Sequence, residues 1–154
     1  MRNGAVQLTA AGRARLEDEL AHLRDVKRRE LADRIEASNE HGDISDNSEY
    51  EDLKEELIMA DRRIQELEYL LATAEVIEPS KDGTVSLGSV VTLVDSEGEE
   101  ATWILVDPAE ADTRTGSIST ESPVGNALMG KAKGDSTAVE TPGGAIVYTV
   151  TNVA

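Results

Sequence analysis

His41-Gly42-Asp43-Ile44-Ser45-Asp46-Asn47-Ser48-Glu49-Tyr50 separates two long amphipathic patterns, and its reading decides how they are arranged. From Glu36 to Glu56 the acids are Glu36, Glu40, Asp43, Asp46, Glu49, Glu51, Asp52, Glu55 and Glu56, against the single base Lys54. Like charges on adjacent helical turns repel, so this concentration does not serve stability. The stretch reads as a turn and as the working end of the molecule.

On the C-terminal side, Leu53, Leu57, Ala60, Ile64, Leu67, Leu71 and Ala74 alternate at spacings of four and three, the a/d seam of a coiled coil. On the N-terminal side, Thr9 is the expected N-cap, and Leu16, Leu20, Leu23, Leu31 and Ile35 form a stripe with a polar gap at Lys27. Folded back at the turn, Ile35 meets Leu53, Leu31 meets Leu57, Leu23 meets Ile64, Leu20 meets Leu67 and Leu16 meets Leu71. The two residue numbers of every pair add to 87 or 88, as one hinge near residue 44 requires. In this register Lys27 falls opposite Asp61 and predicts a charged layer. Helices of roughly 30 residues give a rod on the order of 45 Å long.

Periodicity stops at Glu78-Pro79-Ser80-Lys81-Asp82-Gly83, a loop signal, so the expected boundary separates residues 1–78 from 79–154. Beyond it, strands are expected over 85–94, 101–106, around Ile118, 137–140 and 145–153. Thr141-Pro142-Gly143-Gly144 is the turn of the last hairpin. Ser122 caps a single helical turn with Pro123 at its first position. The fold class is α+β: an antiparallel coiled-coil hairpin, then a small antiparallel sheet with one short helix.

The net charge of −16 argues against non-specific binding to duplex DNA or an anionic membrane. With no cysteine there is neither a disulfide nor a thiolate metal site, and a reducing cytoplasm is the expected compartment. One Trp, three Tyr and no Phe do not make a base-stacking platform. A self-contained calcium loop from Asp43 fails, because its sixth position is Ser48 and its twelfth is Lys54. His41 reads as a turn residue, distant from His22. Arg24, Lys27, Arg28, Arg29, Arg34, Arg62 and Arg63 form a basic cluster midway along the rod, in part as pairs with neighbouring acids.

Leu8-Thr9 with Gly12 and Leu16, the Gly42–Tyr50 array, Ala74-Glu75-Val76-Ile77, Ser122-Pro123, Ala127-Leu128-Met129-Gly130-Lys131, Gly134-Asp135 and Thr141-Pro142-Gly143-Gly144 together resemble the bacterial Gre transcript-cleavage factors, in order and over nearly the whole chain. The resemblance implies an FKBP-like globular domain that docks on RNA polymerase, and a hairpin that reaches through its secondary channel. It implies that Asp43 and Asp46 help hold the second Mg ion of the polymerase site and orient water for cleavage of the backtracked nascent RNA near its 3′ end. It further implies tip support from Gly42, Asn47, Glu49 and Tyr50, and contacts to RNA or polymerase from Lys54, Arg28 and Arg34. No cofactor of its own, no autonomous active site, no membrane partner and a free monomer are expected. Two positions depart from the family pattern: Asp46 where Glu is usual, and Asn39 where arginine is usual. Some members of the wider family occupy the same channel and inhibit, and the FKBP-like half also brings prolyl isomerisation to mind, although it offers just Trp103 and Tyr148 as aromatics.

Overall fold

The computed structural model describes residues 5–40 and 48–154. The chain forms two compact units, one of Arg13–Thr73 and the other of the N-terminal residues through Gly12 with Ala74–Ala154.

The helical unit has two arms. The first arm comprises α1 (Ala10–His22), a π-helical turn (Leu23–Lys27) and α2 (Arg28–Glu40); the second is α3 (Ser48–Thr73). Thr9 caps α1 as expected, its Oγ1 accepting from Gly12 N at 3.0 Å. The arms bury Leu31, Leu53 and Ala60, with Ile35 and Leu57 packed against them, as the antiparallel pairing predicts.

The π turn has a cause in the sequence. Five steps of the stripe from Leu16 to Ile35 span 19 residues, whereas five steps from Leu53 to Leu71 span 18. An α-helix completes five turns in about 18 residues, so the first arm carries one residue too many. A π bulge absorbs one extra residue; here Arg28 N–H bonds the Leu23 carbonyl five residues back. The pair numbers change from 87 to 88 across this same turn.

The charged layer differs from expectation. Asp61 accepts from Arg28 Nε at 2.7 Å, while Lys27 Nζ lies 3.8 Å from Glu56 Oε2. The π turn rotates the side chains across it, so the neighbouring cation takes the predicted acid. Arg24–Glu68 at 2.6 Å and a two-point Arg63–Glu19 contact at 2.8 and 3.1 Å are further cross-arm pairs. The hydrogen bonds from Arg63 to Glu19 raise the guanidinium pKa further. Such half-exposed pairs each contribute about 0–1 kcal/mol; their geometry constrains the register, and the leucine seam holds it.

In the globular unit β1 (Gln7–Leu8) pairs in parallel with β2 (Glu75–Val76), and Leu8 is fully buried. A five-stranded sheet follows in the order β5-β4-β3-β7-β6, from β3 (Val90–Val94), β4 (Glu100–Val106), β5 (Ser117–Ser119), β6 (Ser136–Thr141) and β7 (Gly144–Val153). It is mixed where a purely antiparallel sheet is expected. The loop after β4 doubles back through a 3-10 turn at Thr113–Thr115, and β5 then runs parallel to β4, Ile104 facing Ser117. One sheet face buries Val91, Leu93, Leu105 and Val150 with Leu128 of α4 (Pro123–Leu128). The other face carries hydroxyl pairs, Thr92 with Thr102 and Ser136 with Thr149. Ser122 caps α4 through its Oγ, 3.1 Å from Gly125 N, as the sequence predicts.

Asp82 organises the loop before the sheet. Its carboxylate accepts from the Thr84 hydroxyl and, at 2.9 Å, from Thr84 N. These bonds, the hydroxyl one first, with help from Ser80, hold its pKa down to about 2 from 3.8. A depressed folded pKa means that this interaction is fully present above the ordinary carboxylate range and is lost as pH falls through about 2. A carboxyl 13C titration of Asp82 is expected to show a midpoint about 2; a midpoint near the unperturbed value, about 3.9, would contradict the hydrogen bonds. No helix among the described residues is long and apolar enough to cross a membrane.

Candidate functional site

The candidate site is the end of the helical unit where α2 finishes at Glu40 and α3 begins at Ser48. Gly42, Asp43, Asp46 and Asn47 lie outside the described residues, as does His41. What surrounds them is defined. The seam closes at Ile35 and Leu53, and among the described residues the last cross-arm ion pair in that direction is Lys27–Glu56.

Beyond that pair the charges of the described residues stand unmatched. Glu36, Glu49, Glu51, Asp52 and Glu55 are exposed, and none has a hydrogen-bond or ion-pair partner among the described residues. Glu49 and Glu51 sit in the first turn of α3, where the helix dipole favours acids. This accounts for the start of α3 but not for the acids that follow. The local base, Lys54, places its Nζ 5.1 Å from the Tyr50 ring centroid one turn earlier, a cation–π distance. Tyr50 is half-buried, so it braces α3 and anchors Lys54 together. The end of the hairpin therefore presents carboxylates whose repulsion is not offset among the described residues. That is an arrangement suited to hard cations or to basic groups brought from outside.

Residues 6–76 match the family "Transcription elongation factor, N-terminal", and residues 79–154 match "Transcription elongation factor, GreA/GreB, C-term". The chain belongs to the GreA/GreB family of transcription elongation factors. Transcription elongation factor GreA of Chloroflexus aggregans is 46% identical over 149 residues, 95% of either chain. GreA of Cereibacter sphaeroides is 43% identical over 150 residues, 96% of either chain. The crystal structure of GreA factor homolog 1 from Thermus thermophilus covers 97% of this chain and 99% of its own, at 35% identity and a TM-score of 0.47.

In this Gre-family chain the predicted site residues separate into groups. Glu49 and Tyr50 lie in the first turns of α3, and Lys54 follows one turn on. Arg34 is exposed on α2 without a partner among the described residues. Arg28 is engaged by Asp61, so an external contact there would first have to break that pair. Among the described residues no cluster of three or more His, Asp or Glu could hold a metal.

One residue was not singled out by its sequence. Glu110, 5% exposed, accepts from Thr9 N at 2.8 Å and from Thr9 Oγ1 at 2.7 Å. The turn Asp107–Ala111 presents it, with Glu110 N bonded to the Asp107 carbonyl at 2.9 Å. Gly12 makes room: a Cβ there would overlap the Glu110 carboxyl group. The separation of 101 residues explains why no local pattern reveals it. The glycine two positions inside a helix was its single trace.

Proposed function

We propose that this protein binds bacterial RNA polymerase, passes its helical hairpin through the secondary channel, and stimulates the polymerase's own cleavage of backtracked nascent RNA. The observation that carries this reading is the run of carboxylates, unmatched among the described residues, at the end of a hairpin that is cross-paired along its length, in a chain of the Gre family. Such an end is stable enough to exist and incomplete enough to need a cationic centre elsewhere.

Asp43 and Asp46 are the residues we assign to the chemistry. A carboxylate is a hard oxygen donor, suited to magnesium, and the polymerase supplies that ion; bound in a two-metal site it stabilises the attacking and leaving oxygens of phosphodiester hydrolysis. One of the two aspartates adds donor oxygens to the shared site. The other accepts a hydrogen bond from the attacking water and takes its proton. Asp46 is one methylene shorter than the glutamate usual there, so its role is the one most sensitive to chain length. Gly42 and Asn47 suit a tight turn, and Glu49 and Tyr50 fix the first turn of α3 beneath it. Arg34 and Lys54 face the transcript or the channel wall. The factor has no active site of its own in this scheme, and the globular unit holds it on the polymerase.

The test is a cleavage assay on a backtracked elongation complex, with and without the protein. Shortening of the RNA from its 3′ end is expected when both polymerase and protein are present, and none with the protein alone. Slower extension with the RNA left uncut would overturn the reading in favour of a channel-blocking inhibitor.

A further inference from the structure

Among the described residues β6 has a single strand neighbour, β7, and closes one edge of the five-stranded sheet. Which of its backbone groups that leaves open follows from one hydrogen bond and one turn. Val150 N–H bonds the Asp135 carbonyl at 2.8 Å, so the adjoining pair, Ser136 with Thr149, exchanges no bonds directly. Bonded and unbonded pairs alternate along an antiparallel ladder. Thr137, Val139 and Thr141 therefore bond β7, and the Pro142-Gly143 turn closes on the last of these pairs, Thr141 with Gly144. The N–H and C=O groups of Ser136, Ala138 and Glu140 face the open edge, and none of them is bonded among the described residues. Sheet edges are commonly blunted by proline, lysine, a bulge or sheer shortness. The opposite edge strand, β5, has only three residues. By contrast β6 has six, Ser-Thr-Ala-Val-Glu-Thr, in unbroken register with β7, and its one charge is Glu140 near one end.

We infer that β6 pairs with β6 of a second copy of this chain, antiparallel, about a two-fold axis at Ala138. The occupant follows from the strand's fit to itself. Open groups must meet open groups, so the axis passes through Ser136, Ala138 or Glu140. An axis at Glu140 sets two carboxylates directly opposite each other, which is destabilising. An axis at Ser136 leaves Glu140 facing beyond the end of its mate's strand. With the axis at Ala138, Ala138 faces Ala138 and Ser136 faces Glu140 at either end. Two bonds at each of these three pairs use every open group. The alanine methyls leave room at the centre, and all three side chains are exposed. The Ser136 hydroxyl, 2.9 Å from Thr149 Oγ1, meets the mate's Glu140 carboxylate as donor to acceptor. On the other face Thr137 meets Val139, a cross-strand pair of β-branched side chains. A contact one strand wide buries less than the roughly 1,200 Å² of a stable interface, and it joins two chains of net charge −16. Association is therefore weak, and added salt strengthens it by screening the repulsion. The free monomer implied by the resemblance is the dilute form. All of β6 lies within the globular unit, so this contact and the cleavage chemistry stand or fall separately.

Sedimentation equilibrium of the full chain at millimolar concentration is expected to show monomer and dimer, with the balance moving towards dimer as salt is added. Ala138→Pro removes an N–H that faces the open edge and leaves the bonds to β7 in place. It is expected to weaken the dimer at least tenfold with far-UV circular dichroism unchanged. Ala138→Lys, which sets two ammonium groups opposite each other, is expected to do the same. The chain has no cysteine, so Ala138→Cys introduces a single thiol. Facing Cα atoms of a bonded pair lie about 5.5 Å apart, and a short bis-maleimide should link the dimer through this position. Ala145→Cys is the control: it lies on the same sheet face but on β7, three strand spacings or about 14 Å from its mate, and should stay unlinked. A monomer at every concentration, a dimer untouched by both Ala138→Pro and Ala138→Lys, a dimer weakened by salt, or equal linking through either thiol would each overturn the proposal.

Discussion

Asp43→Asn is expected to lower stimulated transcript cleavage on the order of 100-fold, and Asp46→Asn to do the same, with polymerase binding retained in both. Asparagine keeps the shape of aspartate and removes its charge, so the change tests the carboxylate and not the space it fills. Loss of a positioned acid or base typically removes about 10²–10⁴-fold, and 100-fold corresponds to about 2.7 kcal/mol. Binding should survive because the globular unit and the paired shaft of the hairpin are untouched. It is measured by competition against the unlabelled wild-type factor. Thermal stability separates this role from a structural one. Carboxylates that repel their neighbours contribute no stability, so the melting temperature of either variant should stay level or rise slightly. Asp46→Glu, which restores the usual reach, should cleave at least as well as the wild type. Loss of binding in both asparagine variants, or cleavage unaffected in both, would sink the assignment.

The hairpin was legible because its signal is local and repeated. Heptad spacing in α3 and mirrored leucines in the first arm carry the pairing, and each pair supports the next. The π turn was legible only in part. The polar gap at Lys27 marks the place, but the extra residue becomes visible when the two arms are counted against each other. A single residue of slip changes which cation meets Asp61, and the sequence spacing alone assigned Lys27 where Arg28 stands. Short strands carry the weakest signal. The three residues of β5 show no alternation long enough to give direction, so its parallel pairing with β4 follows from the path of the preceding loop. The acidic tip was conspicuous through charge density.

The second large effect is expected at Glu110, where a carboxylate acts by holding the fold. Glu110 is 5% exposed and receives both the N–H and the hydroxyl of Thr9. Thr9 Oγ1 in turn accepts from Gly12 N, so a single chain of hydrogen bonds joins Gly12, Thr9 and Glu110 within the globular unit. Hydrogen bonds to a charged group contribute about 1.5–3 kcal/mol, and a buried donor left unsatisfied costs about as much. Glu110→Ala should therefore lower the melting temperature of the globular unit, followed through Trp103, on the order of 10 °C. Gly12→Ala makes the sharper test. Elsewhere in a helix this exchange stabilises by about 1 kcal/mol. At this position the new methyl group overlaps the Glu110 carboxyl, and overpacking of that kind costs about 1–3 kcal/mol, so the sign reverses. In the double variant the methyl group enters the space that Glu110 has vacated. Gly12→Ala should then become neutral or stabilising in the Glu110→Ala background, a coupling that a double-mutant cycle reads directly. Additive effects of the two substitutions would show that the room at Gly12 is not kept for Glu110.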